Sequence, residues 1–240
     1  MKEYYLAIIG DIVNSREASD RYEVQRTLKN VLAEVNAEFG ADIAARFAIT
    51  LGDEFQGLLK VGSRLPELLR RMRDALAPVS LRFGIGYGTI TTELDPDAVA
   101  TADGPAFYRA RERIEAVKNR ERRYMTAPTD TMFSVGTDGT ESSAPAPASA
   151  SADEALVNAL FSTCFALRAK WTARQTEIIA AFRRNQNHQY RTAAELGIRQ
   201  SGVYKALKNA DYYVYEAAQE ALSRYFGQLY FGQVMEVQDV

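Results

Sequence analysis

Residues 43–60 read IAARFAITL, then GD, then EFQGLLK. Two strand-like runs separated by Gly52-Asp53 predict a hairpin, because Gly-Asp supplies the backbone freedom a tight turn needs. On the N-terminal side, residues 20–38 carry Tyr22, Leu28, Leu32, Val35 and Phe39 at helical spacing, and Gly40 stops the run. Before that helix, residues 4–10 are a short apolar run that reads as a buried strand. On the C-terminal side, Leu65, Leu68, Leu69, Met72 and Leu76 define a second helix closed by Pro78. A glycine-rich strand follows at 79–90, VSLRFGIGYGTI. The order β-α-β-β-α-β is the split βαβ, ferredoxin-like motif, which predicts an α+β palm-type domain with an antiparallel sheet and helices on one face. A further helix is expected over 104–119, with Phe107, Ala110, Ile114 and Val117 on its buried stripe.

Composition bounds the rest. The chain has 240 residues, 47% hydrophobic and 25% charged, which is ordinary for a globular protein of one large or two small domains. The single cysteine, Cys164, excludes an intramolecular disulfide, and with His188 as the only histidine it leaves too few soft ligands for a structural zinc site. A divalent ion held by carboxylates remains possible. No run approaches the roughly 20 apolar residues of a membrane span, and MKEYYLAIIGDIVNSR lacks a cleavage site, so no membrane partner and a cytoplasmic location are expected.

Residues 134–152, SVGTDGTESSAPAPASASA, are rich in Gly, Ser, Ala and Pro and read as a flexible linker. They divide the chain into a palm domain at 1–133 and a helical domain at 153–240. Net charge is only −2, yet 168–208 holds nine basic residues against Glu177 and Glu195, a local excess of seven. In that region RTAAELGI is a short helix stopped by Gly197, and SGVYKALKNA is a second one. Helix, glycine turn and helix form the helix-turn-helix pattern, with Ala193, Ala194, Leu196, Ile198, Val203 and Leu207 as its apolar frame. The stretch resembles the DNA-binding modules of response regulators and sigma factors. Arg199, Gln200, Ser201, Tyr204, Lys205 and Lys208 are the candidate DNA-facing residues, supported by Arg183, Arg184 and Arg191 on the phosphates. The alternative is a protein-contact module with a solvated basic face. Tyr212, Tyr213, Tyr215, Tyr225 and Phe226 exceed what one small helix buries, and predict a dimer interface or packing on the first domain.

In the palm domain, Asp11 ends the first strand and Asp53 sits at the hairpin tip. The fold places those strands side by side, so the two carboxylates with the Ile12 carbonyl are candidate ligands for Mg²⁺ or Mn²⁺. The competing readings are a plain turn role for Asp53 and capping by Asp11. Gly84, Gly86 and Gly88 fall on one sheet face, leaving room either for a phosphate or ribose or for a closely packed helix. Arg82 joins them as a candidate nucleotide-binding residue, and Arg109, Arg111 and Arg113 as candidates for steadying phosphate charge.

IIGDIVNS, TLGDEF and RFGIGYGTI, in that order, resemble the metal strand, the Gly-Asp hairpin and the glycine strand of class III nucleotidyl cyclases, and the hairpin also resembles that of diguanylate cyclases. That resemblance implies a nucleotide partner, two-aspartate metal chemistry on a nucleoside triphosphate, and a homodimer. Two departures stand out: Ile49 occupies the place of the cyclases' base-selecting lysine, and FYRARERIE has no asparagine for the transition-state pair. The first domain as a whole, with ITLGDEFQGLL, RFGIGYGTITTELDP and DGPAFYRAR, is similar to the SatD family, which implies a bacterial protein but no particular reaction. Together these readings predict a regulator that joins a metal- and nucleotide-binding palm domain to a DNA-binding helix-turn-helix. The alternatives are a nucleotidyl cyclase or nucleotidyltransferase, and a protein adaptor.

Overall fold

The computed structural model describes residues 3–13, 21–124, 127–136 and 148–229. The predicted βαββαβ order is present: β1 (Tyr4–Ile12), α1 (Arg21–Glu38), β2 (Ile43–Leu51), β3 (Glu54–Lys60), α2 (Leu65–Leu76) and β4 (Leu81–Thr89). These strands pair antiparallel in the order β2-β3-β1-β4. α3 (Pro105–Tyr124) is longer than its predicted span. A fifth strand that the sequence reading did not anticipate, β5 (Thr131–Ser134), adds in parallel beside β4. Five helical segments follow: α4 (Ala148–Arg168), α5 (Ala173–Arg184), α6 (Gln189–Leu196), α7 (Gln200–Asn209) and α8 (Tyr212–Gln228). The chain is thus α+β.

β1 shows why the sheet is covered on both faces rather than one. Leu6 and Ile8 point into a core built with α1 and α2, while Ala7 and Ile9 point into a second core under α3. A strand buried on both sides reads as a continuous apolar run, as 4–10 does. Tyr22 leaves the predicted apolar stripe of α1: it is 72% exposed, whereas Leu28, Leu32, Val35 and Phe39 are buried.

The hydrophobic core does not divide at 134–152. Val157, Phe161 and Cys164 of α4 and Tyr215, Leu222 and Phe226 of α8 share one cluster with the sheet residues Ile8, Phe83 and Phe133. Phe133 of β5 meets Phe226 edge-on at 5.1 Å and Tyr225 at 6.1 Å. Tyr215, Tyr225 and Phe226 therefore pack on the sheet core, the second of the two outcomes expected, while Tyr212 lies in the smaller helical core and Tyr213 is exposed. Of the expected linker, 134 belongs to β5, 148–152 lie in α4, and 137–147 lie outside the described residues.

Both open edges of the sheet are closed by an asparagine side chain. On α1, Asn36 donates to the Phe47 carbonyl at 2.9 Å and accepts from the Phe47 N–H at 2.8 Å. On α4, Asn158 donates to the Phe133 carbonyl at 2.9 Å and accepts from the Phe133 N–H at 2.8 Å. An amide presents the same donor-acceptor pair as a peptide, so each asparagine acts as one residue of a missing strand.

α5, α6, α7 and the start of α8 enclose a smaller core of Ile178, Ile179, Phe182, Ala193, Val203, Leu207, Ala210 and Tyr212. Thr172 caps α5 through a reciprocal capping box with Gln175. Among the described residues no helix is long and apolar enough to cross a membrane.

Candidate nucleic-acid interface and acidic cluster

The register of the central strands sets the acidic cluster. Asp11 lies opposite Glu54 on β3 and opposite Arg82 on β4. Asp53 precedes Glu54 in the turn, and its charge pushes against that of Asp11. Asp11 thus feels the charge of Asp53, but its immediate surroundings are cationic. Asp11 is buried, and its Oδ2 lies 2.9 Å from Arg82 Nη1 and its Oδ1 3.5 Å from Lys118 Nζ. Burial is the largest influence on its carboxyl and raises it above the ordinary range, against the pull of Lys118 and Arg82. Arg82 also holds Glu121, at 2.5 Å. Glu54 receives both arms of Arg111, one at 2.7 Å. Burial works to raise the Glu54 carboxyl, yet the Arg111 hydrogen bond and charge bring it below its usual value.

These donors do not fit a divalent ion. Each oxygen of Asp11 already faces a cation of the same chain, and among the described residues no three His, Cys, Asp or Glu side chains gather as a ligand set. The Ile12 side chain belongs to the core, 2% exposed, opposite Leu81. Arg82, a candidate nucleotide-binding residue from the sequence, is occupied by Asp11 and Glu121.

The glycines follow the second of their two readings, close helix packing. A Cβ on Gly84 would stand 2.2 Å from the Ala110 carbonyl oxygen, and one on Gly86 would stand 2.1 Å from that of Ala106. A Cβ on Gly88 would meet Ala106 N at 2.9 Å. The space that Gly84, Gly86 and Gly88 leave is filled by the backbone of α3, so they serve helix packing and not a phosphate.

The three arginines of α3 diverge. Residues two apart on a helix point about 200° apart. Arg111 faces the acidic cluster, Arg109 donates to the Tyr87 carbonyl, and Arg113 reaches Glu112 at 2.7 Å and Glu154 at 3.7 Å. Only Arg111 remains near Asp11. Lys118 was not singled out as a partner of Asp11, although Arg111, Glu115 and Lys118 at i, i+4 and i+7 mark one helix face.

The helical half keeps its predicted frame. Gly197 ends α6 in the left-handed conformation at φ 63°, and Arg199 is the N-cap of α7. Val203, Leu207 and Ala210 are buried at i, i+4 and i+7. Ser201, Tyr204, Lys205 and Lys208 form the opposite, exposed stripe, continued by exposed Arg199. Gln200 departs from the expectation: it is half-buried, and its amide donates to Gln189 across the α6–α7 contact. Ala193, not Ala194, is buried where the helices meet.

The basic excess of 168–208 divides into two groups. Arg183 is enclosed: it pairs with Glu216 at 2.9 Å and Asp74 at 3.6 Å and lies over the rings of Tyr212 and Tyr215. It links α5 to α2 and α8 and is not placed to meet a phosphate. Arg168 pairs with Asp130, Arg174 with Glu177, and Arg184 with Glu195. Lys170, Arg191, Arg199, Lys205 and Lys208 are exposed and form no ion pair among the described residues. The Cys164 thiol is buried, and burial pushes it up, in keeping with an inert core residue.

The SatD family model matches residues 5–224, which runs from β1 into α8. The chain belongs to the SatD family. Among solved structures, this SatD-family chain is similar to a bacterial light-regulated adenylyl cyclase, with 12% identity, 56% of this chain and 77% of that chain covered, and a TM-score of 0.39. It is also similar to the adenylyl cyclase CyaB from P. aeruginosa, with 16% identity, 48% and 72% covered, and a TM-score of 0.33. A regulator of polyketide synthase expression from Bifidobacterium adolescentis aligns over 93% of this chain and 86% of its own, with 17% identity and a TM-score of 0.28. A search of curated proteins finds no match.

Proposed function

We propose that this SatD-family chain is a DNA-binding regulator whose contact surface is the outer face of α7, carried on a palm-type sheet that acts as scaffold. One observation carries the reading: α7 has two opposed stripes, with Val203, Leu207 and Ala210 buried and Ser201, Tyr204, Lys205 and Lys208 exposed. The exposed stripe is basic and forms no ion pair among the described residues, whereas Arg168, Arg174, Arg183 and Arg184 are each engaged with an acid of the chain. A helix docked through one face and basic on the other suits a major groove, with Lys and Arg on phosphates and Ser201 and Tyr204 within reach of base edges. Arg191 on α6 adds a further cation beside the stripe.

The palm half supports a scaffold role better than turnover. Its acidic cluster is neutralised from within by Arg82, Lys118 and Arg111, and the glycine-lined face is filled by α3. Fluorescence anisotropy of a labelled random duplex, titrated with the full chain at low and at physiological salt, tests the function. Binding at low salt that weakens as salt rises is expected, because phosphate contacts release counterions. Failure to bind at low salt would remove the proposal.

A further inference from the structure

A cleft of about 370 Å³ opens where the end of the sheet meets the helical half, between the α2–β4 loop, the segment before β5, α4 and α5. Its charged groups can be followed one by one. Arg82 and Glu121 pair with each other, and Arg82 also holds Asp11. Asp74 pairs with Arg183. What remains is Asp130, which is buried and holds two guanidiniums at once: Arg73 through Nε at 3.0 Å and Arg168 through Nη2 at 2.5 Å. Across the lining the cations Arg73, Arg82 and Arg168 balance the acids Asp74, Glu121 and Asp130, but Asp130 is shared between two guanidiniums.

The hydrogen bonds show which of the two guanidiniums has donors to spare. Arg73 uses Nε and Nη2 on Asp130 and Thr131. Arg168 donates only through Nη2 among the described residues, so most of its fork is open, and its side chain is 26% exposed beside the cleft. A guanidinium with open donors on a low-dielectric wall is suited to a planar anion. Pro78, Val79, Leu81 and Phe165 give the wall an apolar side, with the hydroxyls of Ser80, Thr129 and Thr176 also on the lining.

We infer that this cleft binds a small carboxylic acid with an apolar body, its carboxylate on the Arg168 fork and its body along Leu81 and Phe165. The volume lies at the small end of ligand sites. One guanidinium with open donors matches one carboxylate and does not match a polyphosphate. The inference stands apart from the DNA reading, and its test uses no DNA.

The full chain is melted in the presence of hexanoate, phenylacetate or 3-phenylpropionate, each beside its primary amide, with inorganic phosphate as a further arm. At least one acid is expected to raise the melting temperature in a saturable way, growing with the logarithm of its concentration, while its amide and phosphate do not. Arg168→Gln is expected to weaken that acid at least about tenfold, the lower range for losing a charge-assisted hydrogen bond. Ala127→Trp sets a large ring on the cleft lining while leaving every ion-pair residue in place, and is expected to abolish the response; it decides the matter if Arg168→Gln does not fold. No response to any acid, an equal response to acid and amide, a response to phosphate alone, or a response that survives in either folded variant would overturn the site.

Discussion

Asp11 and Asp130 are both buried aspartates with two cationic partners, yet removing their charge has different consequences. Arg82 retains Glu121 and Lys118 retains Glu115 when Asp11 is lost, so Asp11→Asn is expected to cost no more than about 2 kcal/mol in urea unfolding. Arg73 has no acid besides Asp130 among the described residues, and Asp130→Asn would strand two half-buried guanidiniums. That variant is expected to lose about 3–5 kcal/mol. Burial alone would raise the Asp130 carboxyl, but the charges of Arg73 and Arg168 hold it below the ordinary value of 3.8. A depressed folded value stabilises the protein above the unfolded carboxylate range, and that stability is lost as pH falls through the folded value. Unfolding measured in steps from neutral to acidic pH should show this loss in the parent and a flatter acid limb in Asp130→Asn. At the hairpin, the internal neutralisation of Asp11 predicts that Mg²⁺ or Mn²⁺ leaves the melting temperature unchanged. A metal-dependent rise that Asp53→Asn removes would restore the two-aspartate site.

At the scale of elements, the βαββαβ order was legible because each segment carries one period: apolar runs at 4–10 and 43–51, and i, i+3, i+4 spacing from Leu65 to Leu76. α6 and α7 were legible for the same reason, aided by Gly197. β5 was not, since four residues followed by a Ser/Ala/Pro-rich stretch give too short a pattern to distinguish from a loop. The alternation of Gly84, Gly86 and Gly88 was visible, but the approach of α3 that explains it is a long-range contact that spacing cannot supply. Gly86→Ala sets a Cβ against the backbone of α3 and is expected to cost about 3 kcal/mol or more in denaturant unfolding. The asparagine closures were equally invisible, since a helix residue gives no sign that it faces a strand edge. Asn158→Ala removes both hydrogen bonds to Phe133 and is expected to cost about 1–3 kcal/mol, with exchange of the Phe133 amide accelerated.

For the whole molecule, the expected partition into a palm and a separate helical domain depended on composition at 134–152, and composition does not reveal what α4 and α8 pack against. Their shared core with the sheet predicts one cooperative transition: circular dichroism and Trp171 fluorescence should report the same midpoint. Phe226→Ala, which empties the contact with Phe133 and Phe161, should shift both signals together by about 3–5 kcal/mol. α7 itself packs in the smaller core with α5, α6 and the start of α8, with its basic stripe exposed. The slope of log affinity against log salt, measured for the parent, Lys205→Ala and Lys208→Ala on one duplex, tests that assignment most directly. Each substitution is expected to weaken binding and to reduce the slope by about one phosphate contact, while Arg174→Ala, away from the stripe, leaves the slope unchanged. Slopes identical in all four proteins, or no duplex binding by the parent, would contradict the account.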